Sequence, residues 1–158
     1  MTELNSEEIW TCIQLINNAL SEMDTTGHIT AMQATECGQY VPNKSLPRFI
    51  AVTAKHFIQI INSGDHWVCI TNVFSLKVNH IFVYDSQPSN KINDSLVIQA
   101  SSLLRLDDSY ELSFHLREFD RQTAGTRLCG FYAVAAAFSL CCREDPTGLL
   151  TVYCLMRG

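Results

Sequence analysis

HWVCITNV (66–73), FSLK (74–77) and VNHIFVYD (78–85) are the stretch whose reading decides the fold. The outer segments are rich in Val, Ile, Thr and aromatic residues, and the short polar-containing link between them has the length of an ordinary hairpin loop. Pairing them antiparallel matches Val68 with Val83 and Ile70 with Ile81 on one face. On the other face it matches Trp67 with Tyr84, Cys69 with Phe82, and Val73 with Val78. Apolar partners meet on both faces, which predicts an interior hairpin. The same register sets His66 directly opposite Asp85, with Cβ atoms about 5 Å apart. A carboxylate that accepts a hydrogen bond from one imidazole nitrogen fixes the tautomer and leaves the other nitrogen free to act as a base.

Outward from the hairpin, HFIQII (56–61) and YELSFHLREF (110–119) also have strand character. Residues 6–20 predict an amphipathic helix, with Asn5 or Ser6 as cap, Glu7 and Glu8 in the first turn, and Ile9, Ile13, Ile16 and Leu20 at helical spacing. A further helix is expected over 93–104 with Asn93 as its cap. Residues 24–50 carry Gly27, Gly38, Pro42 and Pro47 among polar residues, and predict turns with a short helix near Ile29–Gln33. CGFYAVAAAFSLCC (129–142) is apolar all the way round, as a helix buried at the centre of a domain would be. Strands with helices before, among and after them make an α+β chain.

The length of 158 residues and the 47% of hydrophobic residues fit one domain spanning 1–158 with a substantial core. A formal charge of −5, from 16 acidic against 11 basic residues, argues against nucleic acid as a partner. No apolar run approaches the roughly 18 residues of a membrane span, and MTELNSEEIW lacks the pattern of a signal peptide. An intracellular protein, cytoplasmic or nuclear, is the expectation. Seven cysteines, at 12, 37, 69, 129, 141, 142 and 154, form no C-x-x-C pair and are odd in number, so neither a disulfide framework nor a zinc ribbon is expected. No metal or cofactor is implied.

One of these thiols stands apart. Cys129 follows the loop QTAGT (122–126) and begins the buried helix, where first-turn amides and the helix dipole favour a thiolate. An imidazolium beside it would lower its pKa further. Gly130 has no side chain to obstruct a substrate at the sulfur. Gln122 can turn an amide N–H toward the same point and, with a backbone N–H, form an oxyanion hole. Asp65 is a rival acid but points to the opposite face from His66. The other cysteines, and His28, His56, His80 and His115, belong to no paired motif.

GDHWVCITNV, VYDS and QTAGTRLCGFY together resemble the sentrin or SUMO protease superfamily of cysteine proteases, which includes the adenovirus endopeptidase. They are also similar to short protease-like proteins of mobile elements, in which an Asp-Pro pair such as Asp145-Pro146 recurs. The resemblance implies a papain-like-superfamily core: a mixed or antiparallel sheet flanked by helices, with the nucleophile on a central buried helix. It implies His66 as base, Asp85 as its orienter, Gln122 as oxyanion donor and Cys129 as nucleophile, with Trp67 in the cleft that threads a glycine-rich tail. The implied reaction is hydrolysis of peptide or isopeptide bonds after the C-terminal glycine of a ubiquitin-like modifier, the modifier or its conjugates being the partner. Two features depart from the cellular modifier proteases: Leu128 stands where they commonly carry Asp, and Gln122 precedes Cys129 by seven residues, the adenovirus-like spacing. Three alternatives follow: an adenovirus-type polyprotein endopeptidase, an inactive binding module of the same fold, and an effector-type acetyltransferase.

Overall fold

The computed structural model describes residues 3–23, 33–34, 50–51, 57–62, 66–77, 79–88, 92–105 and 111–147. The first helix, α1 (Ser6–Met23), starts at a reciprocal cap. The Glu8 N–H donates to Asn5 Oδ1 at 2.9 Å and the Asn5 N–H donates to Glu8 Oε2 at 2.8 Å, so two orphan amides of the helix start are satisfied by side chains. Ile9, Ile13 and Ile16 form its buried stripe, as their spacing predicts. The helix α2 (Asp94–Leu103) starts where expected, with Asn93 Oδ1 accepting the Ser95 N–H at 2.8 Å.

Among the described residues, five strands form one mixed sheet: β1 (Gln33–Ala34), β3 (Ile58–Asn62), β4 (Trp67–Thr71), β5 (His80–Tyr84) and β7 (Ser113–Leu116), adjacent in that order. The central pairs β3–β4 and β4–β5 are antiparallel, and the outer pairs β1–β3 and β5–β7 are parallel. A separate parallel pair joins β2 (Ile50–Ala51) to β6 (Leu104–Arg105). Leu104 is therefore in a strand, whereas the sequence reading extends the preceding helix to it. Gln33 likewise lies in β1 and not in a helix, while residues 29–32 of that expected helix lie outside the described residues.

Period-two alternation gives each central strand two apolar faces, and helices cover both. Ile58, Ile60, Trp67, Cys69 and Tyr84 share one cluster with α1 and with α3 (Cys129–Cys141). Phe57, Ile61, Val68, Ile70, Ile81 and Val83 share the other with Leu96 and Ala100 of α2.

The hairpin forms in a register different from the expected one. Cys69 pairs with Tyr84, Ile70 with Val83 and Thr71 with Phe82, two residues away from the predicted partners. The reason is side-chain chemistry at the end of β4. The Thr71 hydroxyl donates to the Phe57 carbonyl at 2.6 Å, and Asn72 Oδ1 accepts the Phe57 N–H at 2.8 Å, so both residues are tied to the start of β3. Two successive turns follow, with the Ser75 N–H donating to the Asn72 carbonyl and the His80 N–H to the Lys77 carbonyl, each at 3.0 Å. The connection is longer than four residues. A two-residue shift leaves every side chain on its own face, so the interior character of the hairpin survives it. Val78, the predicted partner of Val73, lies outside the described residues.

The helix α3 differs from the all-round burial that its composition predicts. Cys129, Ala133, Ala136, Ala137 and Leu140 are buried, but Phe131 is 39% exposed and Phe138 51% exposed. These two rings line an apolar groove shared with Leu15 and Cys12 of α1. The helix ends in a double closure: the Arg143 N–H donates to Leu140 and the Glu144 N–H to Ser139, with Arg143 in the left-handed region at φ 59°.

Candidate active site

The site gathers at one end of the sheet. His66 precedes β4, Asp85 follows β5, and His66 Nε2 lies 2.5 Å from Asp85 Oδ1. The same carboxylate oxygen accepts the backbone N–H of Gln87 at 2.8 Å, which pins the acid in an Asx turn. With Nε2 committed to the carboxylate, Nδ1 is the ring nitrogen left for Cys129, which lines the same cleft as His66 and whose interaction with it shifts the pKa of both groups. Cys129 is the first residue of α3 and is largely buried.

The electrostatics of the two groups reinforce each other. Burial pushes the His66 imidazolium toward deprotonation, but the hydrogen bonds to Asp85 and Cys129 and the two negative charges outweigh it and raise the pKa to about 9. Burial likewise pushes the Cys129 thiol up, yet its net shift is downward. The His66 hydrogen bond, the backbone N–H groups of Trp67 and Gly130, and the imidazolium charge all favour the thiolate. A thiolate beside an imidazolium is a nucleophile with an acid at hand.

Leu128 takes the cap position of α3 at φ −98° and ψ 5°, and no side chain caps this helix start. An Asp here would bring a negative charge next to the sulfur. With Leu128 in its place the first-turn dipole acts on Cys129 without that opposition.

Gln122 is brought to the same place. Its side chain lines a polar cleft of about 410 Å³ together with His66, Cys129, Gln87, Thr126, Glu3 and Arg127. The amide is held at both ends, with Oε1 accepting from the Ser86 hydroxyl at 2.7 Å and Nε2 donating to the Thr126 carbonyl at 2.7 Å. The second Nε2 proton is left for the cleft. Sequence reasoning missed Ser86; its signal was its place directly after Asp85 in a segment that ends a strand.

Trp67 lies on the interior face where the hairpin reading puts it, and Gly130 faces α1. Trp67 is 3% exposed and belongs to the core, and it reaches the site through its backbone N–H. A Cβ built on Gly130 would lie 3.0 Å from Leu4 Cβ, 3.2 Å from Ile9 Cδ1 and 3.5 Å from Trp67 Cδ1. The missing side chain therefore lets α1 and Trp67 close on α3, and does not clear a path to the sulfur.

Two buried thiols, Cys69 and Cys141, contrast with Cys129. Burial pushes Cys69 far up and Cys141 up to about 12, which suits small core residues. Cys37, Cys154, His28, His56 and Asp65 lie outside the described residues. Among the described residues there is no group of three or more His, Cys, Asp or Glu that could hold a metal ion, and no helix is long and apolar enough to cross a membrane.

No protein-family profile and no curated protein matches the chain. Solved structures do. The catalytic domain of a Ulp1-like SUMO protease from Chaetomium thermophilum superposes with a TM-score of 0.55 at 16% identity, covering 92% of this chain and 64% of that one. The C-terminal protease domain of Ulp1, solved in complex with SMT3, the yeast ortholog of SUMO, superposes at 0.52 with 17% identity, covering 91% and 68%. The chain thus spans about two thirds of the length of these domains. At such identities the likeness is one of architecture: the chain has the α+β fold of Ulp1-like SUMO proteases.

Proposed function

We propose that this chain, residues 1–158 as one unit, is an intracellular thiol hydrolase that cleaves peptide or isopeptide bonds after the C-terminal glycine of a ubiquitin-like modifier. The observation that carries the proposal is the single contact chain Asp85–His66–Cys129, in which the imidazole pKa is raised and the thiol pKa lowered at the mouth of a polar cleft. The SUMO-bound neighbour of the same fold supports the choice of modifier.

The Cys129 thiolate attacks the carbonyl carbon of the terminal glycine. The oxyanion that forms is met by the free Gln122 Nε2–H and a backbone N–H at the start of α3. The tetrahedral intermediate collapses with transfer of the His66 proton to the leaving amine, and a thioester remains. Water then attacks the thioester while neutral His66 takes one of its protons; the intermediate expels the Cys129 thiolate, the carboxylic acid loses its remaining proton to solvent, and the thiolate–imidazolium pair is restored. Asp85 holds the ring in place throughout.

The test is a pair of assays on wild type and Cys129→Ala: processing of a SUMO precursor, and covalent capture by SUMO or ubiquitin vinyl sulfone. Wild type should cleave and be captured, and Cys129→Ala should do neither. A wild-type protein that binds the modifiers but leaves the vinyl sulfone unreacted is a binding module, and the hydrolase reading is lost.

A further inference from the structure

The oxyanion donor of the proposed reaction is a side-chain amide, and an amide donates usefully only if it is held the right way round. Oxygen and nitrogen of Gln122 are nearly isosteric, so its environment must select the orientation. The Thr126 carbonyl can only accept, which assigns Nε2 to that side. The opposite end then needs a donor, because Gln122 is 7% exposed and its Oε1 faces the interior. The Ser86 hydroxyl, on a residue 2% exposed, is that donor at 2.7 Å. The Gln122 backbone N–H donates back to the Ser86 carbonyl at 3.0 Å, so main chain and side chain are gripped by one residue.

We infer that Ser86 is a positioning residue that aims the free Nε2–H of Gln122 at the developing oxyanion; this rests on the thiol-hydrolase reading. The dipeptide Asp85-Ser86 thereby serves two parts of the site. Asp85 orients the histidine, and Ser86 orients the oxyanion donor 36 positions later in the chain. Asp85 and Ser86 sit on one short segment after β5, held to the sheet by the strand and to the Gln122 loop by two hydrogen bonds. Ser86 does not itself line the sulfur cleft, so its effect passes through Gln122, which does.

The test is a double-mutant cycle on turnover of a SUMO C-terminal aminomethylcoumarin amide. Loss of one oxyanion donor lowers kcat by about a hundredfold to a thousandfold. Ser86→Ala, which loosens the donor without removing it, should lower kcat by about tenfold or more with KM changed by less than about twofold. In a Gln122→Ala background the same substitution should have no further effect, because nothing remains to be aimed. Alkylation of Cys129 by iodoacetamide forms no oxyanion, and its rate should equal that of wild type in Ser86→Ala. An unchanged kcat, an equal loss in both backgrounds, or a parallel loss of alkylation would each overturn the inference. If wild type does not cleave this amide, the function is wrong, and exchange of the Gln122 side-chain amide protons, followed by NMR, still decides the point. Protection in wild type that is lost in Ser86→Ala supports the role of Ser86, and equal exchange in the two proteins refutes it.

Discussion

His66 Nε2 reaches Asp85 Oδ1 at 2.5 Å although the two residues are not cross-strand partners. Continuing the observed ladder by one pair sets Asp85 level with Val68, so His66 meets the carboxylate diagonally, two residues along. Diagonal neighbours of an antiparallel pair are about 7–8 Å apart at the backbone, within reach of a long side chain such as imidazole. The diagonal contact carries the electrostatics of the site, because the charge of Asp85 is one of the causes that hold His66 protonated beside the Cys129 sulfur.

That pairing has a pH signature. The folded His66 pKa of about 9 lies above its ordinary value of 6.5, so the folded state holds the proton more tightly than the unfolded chain. The stability this contributes is complete below pH 6.5 and is lost as pH rises through 9. Urea unfolding of wild type and His66→Gln should show a difference that is largest at acid and neutral pH and shrinks toward pH 9. The alkylation rate of Cys129 should reach its plateau below the pH expected of an ordinary thiol, and His66→Gln should move that plateau upward.

Asp85→Asn removes the charge but retains an acceptor for Nε2. The imidazole pKa should fall from about 9, drawing the alkaline limb of the activity profile to lower pH. Because His66 stays in place in part, kcat should drop by roughly tenfold to a hundredfold, less than for His66→Ala, which forfeits the whole acid–base contribution of about 10²–10⁴. A pH–rate profile of the three proteins checks the order and the shift.

Gly130→Ala should destabilise the fold by about 1–3 kcal/mol, the usual cost of overpacking a filled interior. The new Cβ would meet the Leu4 Cβ at 3.0 Å, an atom close to its backbone that cannot simply swing away. Chemical denaturation measures the loss. Since the strain falls one residue from Cys129, alkylation should also slow.

Asn5→Ala removes the acceptor for the Glu8 N–H and breaks the reciprocal cap of α1. The expected cost is about 1 kcal/mol, read as a lower midpoint of thermal unfolding, with the rate of Cys129 alkylation unchanged.

Much of the site was legible in the chain because each part of it sits at the end of an element with its own local signal. His66 and Asp85 flank apolar strands, Cys129 opens an apolar helix, and Gln122 stands in the loop before it. The register of the hairpin was not legible to within two residues. Alternating apolar residues satisfy either pairing equally, and what selects between them is a set of bonds from Thr71 and Asn72 to Phe57, the residue just before β3. The surroundings of Trp67 and Gly130 were not fully legible for a related reason: they depend on how α1 closes over α3. The exposed Phe131 and Phe138 show the same limit, because apolar composition does not say which faces of a helix receive neighbours.

The sequence alone determined that a His, an Asp, a Gln and a Cys stand in that order at the ends of strands, in a loop and at the start of an apolar helix, and that strands and helices make an α+β chain, since both follow from residue type and short-range periodicity. Only the tertiary structure decided the pairing register, the parallel outer strands and the orientation of the Gln122 amide. Each of these depends on contacts between residues far apart in the chain, such as Ser86 with Gln122 and Thr71 with Phe57, whose energies are set by distance and direction in space.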